Sequence, residues 1–97
     1  MKIGLIVGKF LPLHNGSLTI CKVAGTLSTK LIIVIINSPN DIIPIELRIK
    51  WLKQENPHAI VKQLLGKSAL SAQEQLKVIL HNISKKLGSN NFHLFSS

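Results

Sequence analysis

The residues best able to do chemistry fall in one stretch, Gly8-Lys-Phe-Leu-Pro-Leu-His-Asn-Gly-Ser17. Gly8 allows backbone to approach a ligand closely, Lys9 supplies a fixed cation, Pro12 stiffens the turn and His14 offers a ring N–H. Gly16 leads into a segment of helical character, whose first amides have no partner inside the helix. Amides, an ammonium and an imidazole gathered in one loop suit an oxyanion, phosphate above all.

Two common phosphate motifs are excluded by counting. There is no G-x-G-x-x-G. Gly4-Leu-Ile-Val-Gly8-Lys9 is one residue short of a Walker A loop and has Phe10 where Ser or Thr must ligate magnesium, while Gly66-Lys67-Ser68 would need a glycine where Val61 stands. His58, His81 and His93 have no partners at metal-ligand spacing, so no protein-held metal is expected. Cys21 is a lone cysteine, which rules out an internal disulfide and points to a reducing, cytoplasmic setting.

The elements that must hold this loop can be read from periodicity. Lys2 to Val7 is β-rich and stops at Gly8, and Leu31 to Ile36 is an unbroken apolar run; both suit strands buried on two faces. Between them, residues 17–27 place Ile20, Ala24 and Leu27 at helical spacing, so the first 36 residues read as a βαβ unit. Asn37 to Asp41 is a polar loop, Pro44 and Glu46 open a helix running to about Gln54, and Asn56-Pro57 ends it. His58 to Leu65 reads as a weak third strand that periodicity does not separate from a short helix.

Ser71-Ala-Gln-Glu74 is a capping-box pattern, followed by a stripe of Leu76, Ile79, Leu80, Ile83 and Leu87, two lysines in the last turn and Gly88 as a C-cap. Phe92 to Phe95 begins a fourth strand. The order βαβαβαβ predicts one α/β domain over residues 1–97 with a doubly wound parallel sheet. Ligands of such sheets sit beyond the carboxyl ends of the strands, where residues 8–17 lie.

Composition agrees with a single small domain. Of 97 residues 45% are hydrophobic and 16% charged, enough apolar surface to fold and too short a chain for a two-domain enzyme. Twelve basic residues against four acidic ones give +8, which attracts phosphate-bearing partners. Arg48 is the one arginine, leaving little material for bidentate reading of guanine, so a nucleic-acid-binding module is the third-ranked reading. The run Leu31–Ile36 is far below the ~18 residues needed to span a bilayer, and no membrane association is expected.

The segment Gly8-Lys-Phe-Leu-Pro-Leu-His14-Asn-Gly16 resembles the G-x-F-x-P-x-H-x-G-H signature of the nucleotidylyltransferase superfamily. Its wording is most similar to the nicotinamide-mononucleotide (NMN) adenylyltransferase domain that some bacteria fuse to a ribosylnicotinamide kinase. Pro44-Ile-Glu-Leu-Arg48-Ile-Lys-Trp51-Leu52 is similar to the Pro-x-x-x-Arg-x-x-Trp-Leu helix opening of those domains. The resemblance implies a Rossmann-like sheet of order 3-2-1-4, truncated after the fourth strand. It also implies transfer of AMP from ATP to a nucleotide monophosphate with release of pyrophosphate, and magnesium carried on the ATP phosphates.

By the same resemblance, His14 and Lys9 are the catalytic candidates. Gly8, Lys9, Phe10, Leu11, His14, Gly16 and Ser17 are nucleotide-binding candidates, and Asn37, Arg48 and Trp51 are lesser candidates for the acceptor. On residue type alone, Arg48 ties its helix to a neighbouring loop and Trp51 is core or pocket wall. Three features depart from the family pattern: Ser17 replaces the second signature histidine, the loop Asn37–Asp41 holds no basic residue, and the downstream I-S-x-T-x-x-R is missing from the 97 residues. The alternative reading is therefore a truncated or degenerate relative that binds nucleotide or a partner chain without turnover. An apolar sheet edge beside the fourth strand would favour a homo-oligomer.

Overall fold

Leu31 to Ile35 are all buried, because a strand with a neighbour on each side and a helical layer on each face has no side open to water. They lie in β2 (Lys30–Asn37), the inner partner of β1 (Ile3–Gly8) and β3 (Ile60–Leu65). The computed structural model describes residues 2–10, 15–66 and 68–95, with backbone alone over 15–19. It adds α1 (Asn15–Leu27), α2 (Ile45–Glu55), α3 (Ala72–Leu87) and β4 (Phe92–Leu94). All three strand pairings are parallel, and the sheet runs β3-β2-β1-β4. This is the expected α/β architecture and strand order.

Strand periodicity divides the core into two layers. Ile6, Leu31, Ile33 and Ile35 face Cys21 and Ala24 of α1 and Leu52 of α2. On the other face, Ile3, Leu5, Ile32 and Val34 meet Ile83 of α3, with Leu76, Ile79, Leu80 and Leu87 packed around it. The sheet is therefore wound on both faces, and each fully buried Ile or Leu contributes roughly 1.5–3 kcal/mol. At Gly4 the connection after α1 lies close against β1: a Cβ there would collide with the Ser28 hydroxyl.

Three details refine the sequence reading. The inward face of α1 is made by Cys21 and Ala24, whereas Leu27 is 55% exposed at the helix end. The ambiguous segment after Pro57 is a strand, with Ile32 to Asn37 of β2 opposite Ile60 to Leu65. Its strand character comes from that pairing; as an edge it keeps Lys62 and Gln63 in water.

The third detail concerns the capping box. Ser71 Oγ accepts from the Glu74 amide at 3.1 Å, but the Glu74 carboxylate accepts from the Ser71 hydroxyl at 3.1 Å, where the usual box has it bond the cap's backbone N–H. Gly88 closes α3 at φ 68°, in the left-handed region, and donates to Ser84 O at 2.8 Å. Among the described residues no helix is long and apolar enough to cross a membrane.

Candidate functional site

At the carboxyl end of the sheet, β1 leaves through Lys9 and Phe10 while β2 leaves through Asn37 and Ser38. Phe10 has φ 56°, left-handed backbone that a bulky side chain rarely adopts and that costs on the order of 1–3 kcal/mol. Its ring offsets that cost by burying itself against the layer that holds Ile6, Ile33 and Leu52. The buried ring fixes the direction in which the chain leaves β1. A Cβ at Gly8 would rest 3.6 Å from this ring, ordinary contact, and Gly8 is not among the residues with positive φ. Neither packing on Phe10 nor backbone conformation demands glycine there.

Arg48, on the first full turn of α2, is 0% exposed and points back under these two loops. Its Nη1 donates to Lys9 O at 2.7 Å and to Ile36 O at 3.1 Å, and its Nη2 donates to Asp41 Oδ2 at 3.2 Å. One guanidinium therefore ties the ends of two adjacent strands to the loop beyond the second. Its Nε is also buried and has no hydrogen-bond partner among the described residues. A buried charge is tolerable only when paired, and Asp41 is the pairing carboxylate.

Asp41 joins more groups than any sequence motif suggested. Besides Arg48 it accepts from the Ser38 amide at 2.8 Å through Oδ2, and from Lys9 Nζ at 3.1 Å through Oδ1. The Ser38 amide, ahead of the Lys9 ammonium and the Arg48 guanidinium, holds the carboxyl below its usual range, against the opposing effect of partial burial. The Asp41 side chain is 8% exposed and that of Lys9 48%. Lys9 is thus half-exposed, with its ammonium on Asp41 and more N–H hydrogens than that bond uses. Lys9, Asp41 and Arg48 together carry a net charge of +1.

The remaining candidates separate clearly. Asn37 turns its amide toward β3, donating to Gln63 Oε1 at 3.3 Å, and does not join the Lys9–Asp41–Arg48 set. Trp51 is 36% exposed, so of the two places foreseen for it, core or pocket wall, the core is excluded; Leu52 takes the inward place at 0%. Arg48 is the tie foreseen from its residue type, with no exposed surface left in this conformation. Leu11 and His14 lie outside the described residues. Gly16 and Ser17 lie within the first turn of α1, which begins at Asn15, so Ser17 is a helical residue rather than the residue before the helix.

Two residues escaped sequence reasoning. Asp41 had one local signal, as the single acid in the loop between Leu31–Ile36 and Pro44. Gln75, near the start of α3, had none: its Oε1 accepts from Leu65 N at 2.9 Å, and its Nε2 donates to Leu65 O at 2.8 Å and Leu70 O at 3.2 Å. Its side chain fastens the end of β3 to the helix that follows.

Among the described residues, no group of three His, Cys, Asp or Glu could hold a metal ion. Both Asp41 oxygens already have partners, so a magnesium ion would have to be carried largely by ligand oxygens. A separate cleft of about 270 Å³ opens at the amino end of the sheet between Gly25, Lys30, Asn56 and His58, remote from Lys9. There the Lys30 ammonium is engaged by His58 O at 2.9 Å. No family model matches the chain, and no curated protein matches it.

Proposed function

We propose that this chain binds a nucleoside triphosphate over the loop from Gly8 to Ser17 and acts as a nucleotidylyltransferase. It would transfer AMP from ATP to a nucleotide monophosphate, with NMN the best candidate, and release pyrophosphate. The observation that carries the reading is the position of Lys9: a half-exposed ammonium just past the carboxyl end of β1, on a loop that runs into the amino end of α1. A cation next to a loop that leads to a helix N-terminus is the combination a phosphate chain requires. Strand order 3-2-1-4 and the G-x-F-x-P-x-H spacing support the same reading.

In this reading an oxygen of the acceptor phosphate attacks the α-phosphorus in line and pyrophosphate leaves, with no covalent enzyme intermediate. Lys9 neutralises charge on the departing phosphates, His14 donates to them, and Arg48 acts only through the loops it ties. Magnesium on the phosphate oxygens would supply further charge neutralisation.

Binding without turnover is the second reading. Ser17 in the second histidine's place favours it, since losing one preorganised donor costs on the order of 10²–10³ in rate. Calorimetric titration with ATP and magnesium, followed by a pyrophosphate assay with NMN, separates the two. Binding weakened in Lys9→Gln and His14→Ala, together with pyrophosphate release, supports the enzyme. The same binding without product supports the second reading, and no binding at millimolar ATP refutes both.

A further inference from the structure

The border of the sheet at β3 has main-chain groups to offer. Gly66 N–H donates inward to Asn37 O at 2.7 Å, whereas the N–H and C=O of Leu65 point away from β2, where the Gln75 side chain meets them. Because these directions alternate along a strand, the N–H and C=O of Val61 and Gln63 face the same outer side as those of Leu65. They have no partner among the described residues. The opposite border, β4, is three residues long, and its Phe92 N–H turns back on Asn90 O at 3.0 Å. An added strand therefore finds its place at β3.

Beside that border lies a groove of about 200 Å³, lined by Ile60 and Lys62 of β3 and by Ile79, Asn82, Ile83 and Lys86 of α3. On the same face of the neighbouring β2, Ile32 and Val34 are 0% exposed, so the groove opens outward past β3 and not toward the middle of the sheet. Three isoleucines give it an aliphatic lining. The ammonium groups of Lys62 and Lys86 have no hydrogen-bond or ion-pair partner among the described residues.

We propose that β3 accepts an extended acidic segment of another polypeptide as an added strand of the sheet. Val61 and Gln63 supply the main-chain pairing. Side chains of the incoming strand alternate between its two faces, so an aliphatic one enters the groove while acidic ones two positions to either side meet Lys62 and Lys86. The recognised pattern is acid-x-aliphatic-x-acid. A second copy of this chain does not offer it, since its four acidic residues, Asp41, Glu46, Glu55 and Glu74, lie in a loop or in helices.

The test is NMR titration of the whole chain with an acetylated and amidated peptide, Thr-Glu-Thr-Ile-Thr-Glu-Thr, and with the same peptide carrying lysine for both glutamates. The glutamate peptide should move the amides of Val61, Gln63, Ile79 and Ile83 and slow hydrogen exchange at the first two. Its affinity should exceed that of the lysine peptide at least about tenfold. Lys62→Glu combined with Lys86→Glu, both at exposed positions, should invert that order.

Equal affinity for the two peptides, or no shift at millimolar glutamate peptide, overturns the inference. Unchanged exchange at Val61 and Gln63 on saturation would mean contact with the groove alone and overturns the added strand. A single-stranded oligonucleotide that moves these amides when the peptide does not would make this a nucleic-acid face and refutes the proposal as well.

Discussion

Arg48 Nη1 lies 2.7 Å from the carbonyl oxygen of Lys9, 39 positions earlier in the chain, and the same nitrogen reaches Ile36 O at 3.1 Å. Two neighbouring strand ends are thus held by one donor group belonging to a helix. Arg48→Met should leave both carbonyls and the Asp41 carboxylate short of a donor, lowering stability by about 2–4 kcal/mol. Arg48→Lys, with a single ammonium for three acceptors, should recover only part of it. Urea unfolding of the two variants checks the order, and a Met variant as stable as the parent would show that the tie contributes nothing.

Acid should loosen the same region. Asp41 is held below the ordinary carboxyl range by the Ser38 amide first, then by Lys9 and Arg48. Its folded form takes up a proton less readily than its unfolded form. The contribution is therefore complete above the unfolded carboxyl value of about 4 and is lost as pH falls below that value. Melting temperature should decline from roughly pH 5 to pH 3, and less steeply in Asp41→Asn. Superimposable profiles for the two proteins would rule out Asp41 as the titrating group.

Gly88 isolates a purely conformational effect. At φ 68°, with nothing within 4 Å of the place a methyl group would take, Gly88→Ala meets no clash and loses only the left-handed freedom. A cost of about 1 kcal/mol is expected, with native amide chemical shifts preserved outside the end of α3. A neutral substitution would mean that the helix end readjusts without penalty.

The Cys21 thiol should be silent in the native protein. It is 1% exposed, and burial pushes its pKa up, so little thiolate is present at neutral pH. An aromatic disulfide reagent should react at least about a hundredfold faster after unfolding in urea. Rapid labelling under native conditions would place α1 away from the sheet for a large fraction of the time.

What could be read from sequence divides by range. The bounds of α3 were legible because Ser71, Glu74 and Gly88 act on their own helix, within a few residues. The strands Leu31–Ile36 and Lys2–Val7 were legible because burial on both faces demands an unbroken apolar run. β3 was legible only weakly, since an edge strand with Lys62 and Gln63 in water has no such run and takes its form from β2. At the candidate site the loop could be located and Arg48's tie foreseen, but not Asp41 as its partner. A carboxylate that joins residues 9, 38 and 48 becomes visible only once the chain has folded back on itself.

Gln75 has a consequence of another kind. Its carboxamide meets both the N–H and the C=O of Leu65, the pair of bonds that an incoming peptide would otherwise make at the tip of this border strand. The molecule thus fills that docking position from within. Gln75→Ala would unmask it, and the cost should surface as fibrillar self-association at high concentration.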